Sequence, residues 1–548
     1  MTRIFSVLVL LHAIFLSPTA GLATRSVQGP LDVRLEIGTY RGTTVNETEQ
    51  WLGIPYATPP LGKLRFKPPV PLKPTPTRKD ARVTDASKFS DACPQPPSPT
   101  LGASPGEDCL YLNIWRPQNT SHNEKLPVLV WFPGGAYISG SGSQPQYLPT
   151  RMLQRSDEVD KPIIFVTFNN RLNSFGFLAS STIPEEDLNI GTQDQIAALR
   201  FVQQNIAAFG GDPEKVTLWG QSAGGGSVQA LLVYLDPEER LFRGGIGDSS
   251  TGPFKSSPPP DVYDRPGMPF DRLLRATNCT AGPEAIDCLR DVPFEKLMNV
   301  SNQMILGTVG LQLWQPTISP GNLLNIEASE RIRNGSFLSL PYLAGTNLNE
   351  GALFSVLVRN KNLTGAAQDA AFNDFNLALY IDNSTITQET LLETDRLWAE
   401  NDTTLGAPFN TGDTLFDRAS AWYTDEMFLA PRRLFFENAA AKQNLFAYYF
   451  REFIPGDDPF LGVFHASELR MFFGPVPDVE VDFANKMTDF YLNFIYDLNP
   501  GPEWPRYDLE TRPVLQLLRG NITVIHDDWD TEKTDFLNSD RVLKEYQK

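Results

Sequence analysis

Cysteine and histidine are both scarce, with four of each in 548 residues. Neither close cysteine pair, Cys93 with Cys109 or Cys279 with Cys288, has a histidine at zinc-ligand spacing, so no metal site is expected. Basic residues are outnumbered: 47 Lys and Arg against 65 Asp and Glu leave a formal charge of −18. Nucleic acid and anionic membrane surfaces repel such a chain, which argues against both as partners. Beyond the first residues no apolar run is long enough for a transmembrane anchor, and the final Tyr546-Gln547-Lys548 is neither a retention signal nor a lipid-anchor tail. Repeats, charge blocks and linker-like segments are also missing, so residues 24–548 are expected to form one elaborated domain.

The chain does hold enough apolar residues (41%) for a large core. Its start reads as an export signal over residues 1–23: Thr2-Arg3, an apolar run from Ile4 to Leu16, then small residues for cleavage between Ala20 and Thr24. N-x-[ST] sequons at Asn46, Asn119, Asn278, Asn299, Asn334, Asn362, Asn383, Asn401 and Asn521 agree with a secreted glycoprotein. Four cysteines allow three pairings; the sequential one, Cys93–Cys109 and Cys279–Cys288, closes the shortest loops and suits an oxidising compartment. Nothing in the composition sets the oligomeric state.

Strand-like and helix-like runs alternate. Leu126–Phe132 and Ile163–Phe168 read as buried parallel strands, and Ile196, Leu199, Val202 and Ile206 recur at helical steps between Thr192 and Phe209. Alternation of this kind implies an α/β fold, a mostly parallel sheet covered on both faces. The proline-rich stretches Pro68–Pro76, Pro94–Pro105 and Pro253–Pro269 read as surface loops.

The most informative segment is Trp219-Gly220-Gln221-Ser222-Ala223-Gly224, preceded by the strand-like Lys215–Trp219 and followed by the helix-like Ser227–Leu232. Strand, G-x-S-x-G and helix make a nucleophile elbow, with glycines where the turn leaves no room for side chains and the serine exposed above the sheet. A serine nucleophile needs a base. His12 lies in the export signal, His122 in a polar loop, and His526 beside Asp527, Asp528 and Asp530 in what reads as a solvated acidic turn. His465, in Phe460–Glu468, is therefore the expected base. Acidic residues are too many for counting to select the third member; Glu350, between Ser222 and His465 in the polar loop after an apolar strand, is one candidate among several. Oxyanion donors are expected from the N–H of Ala223 and from Trp131–Tyr137, where Gly134-Gly135 lets the backbone approach a substrate.

These segments resemble the type-B carboxylesterase/lipase family, which includes cholinesterases and secreted fungal esterases. The likeness also takes in Gly53–Pro60, Leu64–Phe66, Glu107–Trp115, Asn170–Phe177 and the run from Gln193 to Gly225, and spans Leu35 to Leu537. It implies the α/β-hydrolase fold with large helical and loop insertions. It assigns Ser222 as nucleophile, Glu350 as acid and His465 as base, with Gly135, Ala136 and Ala223 as backbone donors. The sequential disulfides are also the family's, and Arg65 with Glu107 resembles its structural ion pair. The chain departs from the pattern at Pro133 and Ala136, at Ser319-Pro320-Gly321, and at Gly247-Asp248-Ser249. The methyl of Ala136 is expected to narrow the site.

The function implied is a cofactor-independent serine ester hydrolase that works through an acyl-enzyme on a small-molecule ester, that of a specialised metabolite included. Short, Pro/Ser/Gly-rich Pro94–Asp108 has one large aliphatic residue, Leu101, and cannot form an amphipathic lid, which favours small to medium soluble esters over long acylglycerols. An interfacial lipase or sterol esterase, an acyltransferase with the same triad, and a non-catalytic binding homologue are the alternatives.

Overall fold

A computed structural model describes residues 31–74, 83–308 and 313–548. The export signal expected over residues 1–23 and the end of Pro68–Pro76 lie outside them. The principal sheet has eleven strands, numbered here in chain order: β1 Thr43–Val45, β2 Thr48–Pro55, β3 Tyr111–Pro117, β4 Leu126–Phe132, β5 Ile164–Phe168, β6 Gly211–Gln221, β7 Gly244–Asp248, β8 Tyr342–Asn347, β9 Leu445–Phe450, β10 Pro513–Leu517 and β11 Thr523–His526. Their spatial order is β11-β10-β9-β8-β7-β6-β4-β5-β3-β2-β1. Pairing is parallel from β10 through β5 and antiparallel at both ends, which is the expected mostly parallel α/β sheet. A small sheet of Asp32–Leu35, Gly38–Arg41 and Val83–Asp85 stands apart.

The continuous apolar run of β4 follows from burial on both faces. Val128, Val130 and Phe132 enter one core, while Leu129 and Trp131 enter the other, as the two-residue period of a strand requires. Helices α1 (Ile190–Asn205) and α2 (Ala223–Tyr234) fill the first core, with Leu199, Val202, Val228 and Leu231 buried. Helix α1 begins at Ile190, and its last turn, Ile206–Phe209, tightens before Gly210 turns the chain at φ 89°. A third core lies within the helices Ala366–Leu377 and α3 (Thr414–Thr424) and around the π-helical segment Asp425–Leu429 that continues into α4 (Ala430–Ala439). Disulfides Cys93–Cys109 and Cys279–Cys288 are both formed.

Two expectations need correction. Pro253–Pro269 is not a surface loop throughout, because residues 253–258 run through the interior with Phe254 and Lys255 buried. Proline there shapes an irregular buried strap. Asp527 is not part of a solvated turn either, although its neighbour His526 is exposed. Asp527 is buried and accepts from Arg432 Nη1 (2.9 Å) and Nη2 (2.8 Å) and from Arg433 Nε (2.9 Å) and Nη2 (2.7 Å). The two arginines lie on α4, so they tie that helix to the chain after β11.

Burial alone would raise the Asp527 carboxyl, but Arg432 and Arg433 overcome it and hold the group at about 2. The folded value lies below the ordinary carboxylate range, so the cluster's stabilisation is present above about pH 4 and fades as the pH falls toward 2. Replacing Asp527→Asn leaves two buried guanidinium groups short of their counter-charge and should cost about 3–5 kcal/mol. Urea unfolding at neutral pH checks this; an unchanged midpoint would refute it.

Candidate active site

β6 and β7 end level at Gln221 and Asp248, and β8 runs past that line to Asn347. Gln221 is in register with Asp248, and Asp248 with Gly345. Residues just past these ends, Ser222, Ser249 and the turn to Glu350, therefore stand side by side on one sheet edge, the edge where open α/β sheets bind ligands.

Ser222 occupies φ 57°, ψ −125°, a conformation that strains a residue with a side chain. Crowding enforces the turn. A Cβ on Gly220 would lie 2.3 Å from the Gly224 carbonyl carbon, and one on Gly224 would lie 2.0 Å from the Phe132 carbonyl oxygen. The Ser222 N–H donates to the Asp248 carbonyl at 2.9 Å, and its carbonyl accepts from Gly226 N–H at 2.8 Å. The elbow predicted from the glycine spacing is present.

Glu350 and His465 are brought together, with His465 Nδ1 2.6 Å from Glu350 Oε2. The other carboxylate oxygen, Oε1, accepts from Ser249 Oγ (2.6 Å) and the Asn347 N–H (2.6 Å). Loop closure fixes the pair: Asn347 Nδ2 donates to the Phe464 carbonyl at 2.9 Å, and Asn349 exchanges bonds with Val463 at 2.9 and 3.0 Å. Rings complete the seat of the imidazole, with Phe428 at 4.8 Å and Phe354 edge-on at 5.2 Å. The other described histidines are elsewhere: His122 and His526 are exposed and bonded to the carbonyls of Ala208 and Thr511.

The remaining imidazole nitrogen, Nε2, faces the elbow but meets Gln221, whose Nε2 lies 3.1 Å away. With the Nδ1 proton directed at Glu350, the imidazole Nε2 accepts and the amide donates. The Ser222 hydroxyl makes no hydrogen bond to another described residue, so Gln221 holds the position that a serine proton donor would take.

Gly135 (φ 120°) and Ala136 (φ 55°) curl the loop after β4 toward Ser222. A Cβ on Gly134 would stand 3.1 Å from the Ser222 Cβ, which measures how closely this loop approaches. The N–H groups of Gly135 and Ala136 find no acceptor among the described residues, and Ala223 N–H is at the open N-terminal end of α2. Arg65 and Glu107 form the expected ion pair, Nε to Oε1 2.5 Å and Nη2 to Oε2 2.9 Å; Arg65 also binds the carbonyls of Leu289, Arg290 and Val292, a structural brace.

Several residues at the site escaped sequence reasoning. Asp248 accepts from Trp219 Nε1 (2.6 Å), Tyr448 Oη (3.0 Å) and Tyr491 Oη (2.6 Å), yet burial raises its carboxyl to about 6 against those donors, with the Glu350 charge adding to the rise. Burial, with the charges of Asp248 and Glu350, pushes Glu468 well above the usual range. Gln221 sat inside the glycine-serine motif, but nothing in one sequence says where its amide points.

Residues 30–537 match the model of a family described as the carboxylesterase family. A secreted triacylglycerol lipase of Gibberella zeae is 30% identical over 92% of this chain and 89% of its own. The para-nitrobenzyl esterase of Bacillus subtilis is 31% identical over 90% of this chain and 96% of its own. Among solved structures, a PNB esterase superposes with a TM-score of 0.75 at 29% identity, covering 92% of this chain and 99% of that one. EstA of Aspergillus niger gives 0.80 over 95% and 99%; at 24% identity it speaks to the fold alone.

Proposed function

The chain belongs to the carboxylesterase family and is a carboxylic-ester hydrolase of the α/β-hydrolase fold, and on that premise we propose that it works by acyl transfer through Ser222. The observation that carries this reading is the 2.6 Å contact of His465 with Glu350, which leaves the other ring nitrogen at the elbow, 3.1 Å from the amide of Gln221 next to the strained Ser222. Glu350 fixes the imidazole tautomer and stabilises the imidazolium, His465 takes the Ser222 proton, and Oγ attacks the ester carbonyl. The N–H groups of Gly135, Ala136 and Ala223 receive the oxyanion. The alcohol leaves with the proton from His465, and water then releases the acid from the acyl-enzyme. Before attack the Gln221 amide swings off Nε2, a side-chain rotation that leaves the sheet undisturbed.

We favour small to medium soluble esters. Leu101, the one large aliphatic residue of the first disulfide loop, is buried, and its carbonyl accepts from Ser141 and Ser143, so the loop is pinned down and poorly suited to act as a lid. A lipase reading draws on the exposed Leu353, Val356 and Leu357 just past Glu350 and on relatives named as lipases. Export is supported by secreted relatives, by both disulfides, and by the exposure of the asparagine in each of the nine sequons. One domain over residues 24–548 remains the preferred organisation.

Two measurements test the mechanism. Ser222→Ala should lower turnover of a short p-nitrophenyl ester by about 10⁶-fold and abolish fluorophosphonate labelling; equal rates would end the triad reading. Gln221→Ala should label at least as fast as the wild type, because the competing donor is gone. A fall of about tenfold or more would instead make that amide a support of the imidazole. A jump in rate above the micellar concentration of a triglyceride would turn the preference to the lipase reading.

A further inference from the structure

Lys255 lies in the buried strap that leaves β7 and is 5% exposed. Its one hydrogen-bond partner among the described residues is the phenol oxygen of Tyr423. The ammonium also stands over two stacked rings, 4.8 Å from the centre of Phe354 and 4.9 Å from that of Tyr423. It has no carboxylate partner among the described residues. The carboxylate whose charge bears on it, Glu426 of the π-helical segment, is occupied by Lys548, whose Nζ lies 2.5 Å from Oε1. Two ammonium groups thus share one carboxylate inside a chain whose formal charge is −18. A buried cation with no carboxylate in direct contact is expensive, and an aliphatic side chain would fill the same space without that penalty.

Its location relates this charge to the ester site. Phe354, four residues past Glu350, turns one part of its ring to the His465 imidazole at 5.2 Å and another to the Lys255 ammonium. On the other side, the strap passes along the first turn of α2: a Cβ on Gly226 would lie 2.3 Å from the Pro253 carbonyl and 3.1 Å from Tyr137 Oη, just after the oxyanion loop. The strap therefore runs from the oxyanion loop to Phe354 and carries its ammonium one ring away from the imidazole. Beside it, the hydroxyls of Ser256 and Ser257 are buried without a partner among the described residues.

We propose that Lys255 makes this site selective for esters that carry a second, free carboxylate, the hemiesters of dicarboxylic acids. The ammonium pairs with the free carboxylate while the ester carbonyl rests at Ser222, so the substrate brings the direct ion-pair partner that Lys255 lacks among the described residues. The inference rests on the assignment of Ser222, Glu350 and His465 as the reacting triad. The groups acting on Lys255 from the elements around it are Glu426, which favours its charge, Lys548, which opposes it, and the neutral phenol of Tyr423; His465 lies beyond Phe354. Burial is the largest influence and lowers the ammonium to about 7. Below that value the cation is present to receive a carboxylate; above it the amine is neutral and the attraction is lost.

The test compares kcat/KM for monoethyl succinate, glutarate and adipate with that for ethyl butyrate, valerate and hexanoate. Taking the ratio cancels any pH dependence of the chemical steps that both series share. At about pH 6 at least one hemiester should exceed its neutral counterpart by about tenfold or more, and the excess should fall with a midpoint near 7, since kcat/KM reports the free enzyme. Lys255→Met should bring the ratio close to one, mainly through KM. A ratio that Lys255→Met leaves unchanged, or neutral-ester hydrolysis with no hemiester preference in the wild type, overturns the Lys255 assignment alone. Should Lys255→Met fail to fold, a preference in the wild type that stays flat with pH overturns it equally. Failure to hydrolyse every ester together with failure to take a fluorophosphonate label overturns the triad reading, and this inference with it.

Discussion

Everything at the site depends on the parallel register of three strands. Because β6 and β7 end level and β8 runs just past them, three adjacent strand ends bring the Ser222 hydroxyl, the Ser249 hydroxyl and the Glu350 carboxylate to the same edge. The hydrogen bond from Ser222 N–H to the Asp248 carbonyl, and that from Ser249 N–H to Gly345, belong to this ladder and to the site at once. A one-residue slip would send the side chains to the opposite face of the sheet, and the two cores that receive β4 and β6 oppose any such slip.

Strain at Ser222 persists because its surroundings over-determine it. A positive φ at a serine is unfavourable by about 1–3 kcal/mol, which the burial of α2 and β6 readily outweighs. The glycines on either side are there for space rather than flexibility, since a methyl at Gly220 or Gly224 would collide with backbone that cannot retreat. Ala136 carries a smaller strain of the same kind at φ 55°. The loop after β4 therefore reaches Ser222 in a fixed shape, with the N–H groups of Gly135 and Ala136 unbonded among the described residues.

How much of this could be read from the chain follows from how local each feature is. The elbow, the parallel strands and the close approach of the Gly134-Gly135 loop were legible because glycine spacing and apolar runs act within a few residues. His465 was reachable by elimination only because histidine is so rare. Glu350 was not, since its selection depends on Asn347 and Asn349 bonding to the His465 loop more than a hundred positions away. Asp527 was misread for the same reason: its arginines lie 94 and 95 residues earlier, and a run of acids looks solvated without them. Proline in Pro253–Pro258 signalled irregular backbone correctly but not exposure. The prolines donate no N–H that would need a partner, which suits an irregular segment to the interior.

Burial of that strap gives the site an electrical asymmetry. On the sheet side of the imidazole, burial raises the carboxyls of Asp248 and Glu468, and the charge of Glu350 adds to both rises. Across Phe354 the sign reverses: among the described residues the ammonium of Lys255 has no carboxylate in direct contact, whereas every buried arginine named above has one. An imidazole between two such regions lies in a field directed across it. Opposite charges attract the two regions toward each other, but Phe354 keeps them apart and neither reaches the other's charge. The ammonium keeps hydrogen-bonding capacity for the free end of a bound anion, because Tyr423 occupies only one of its three protons. The same burial that makes Lys255 costly in the empty protein strengthens any ion pair formed there, since little water remains to compete for either charge.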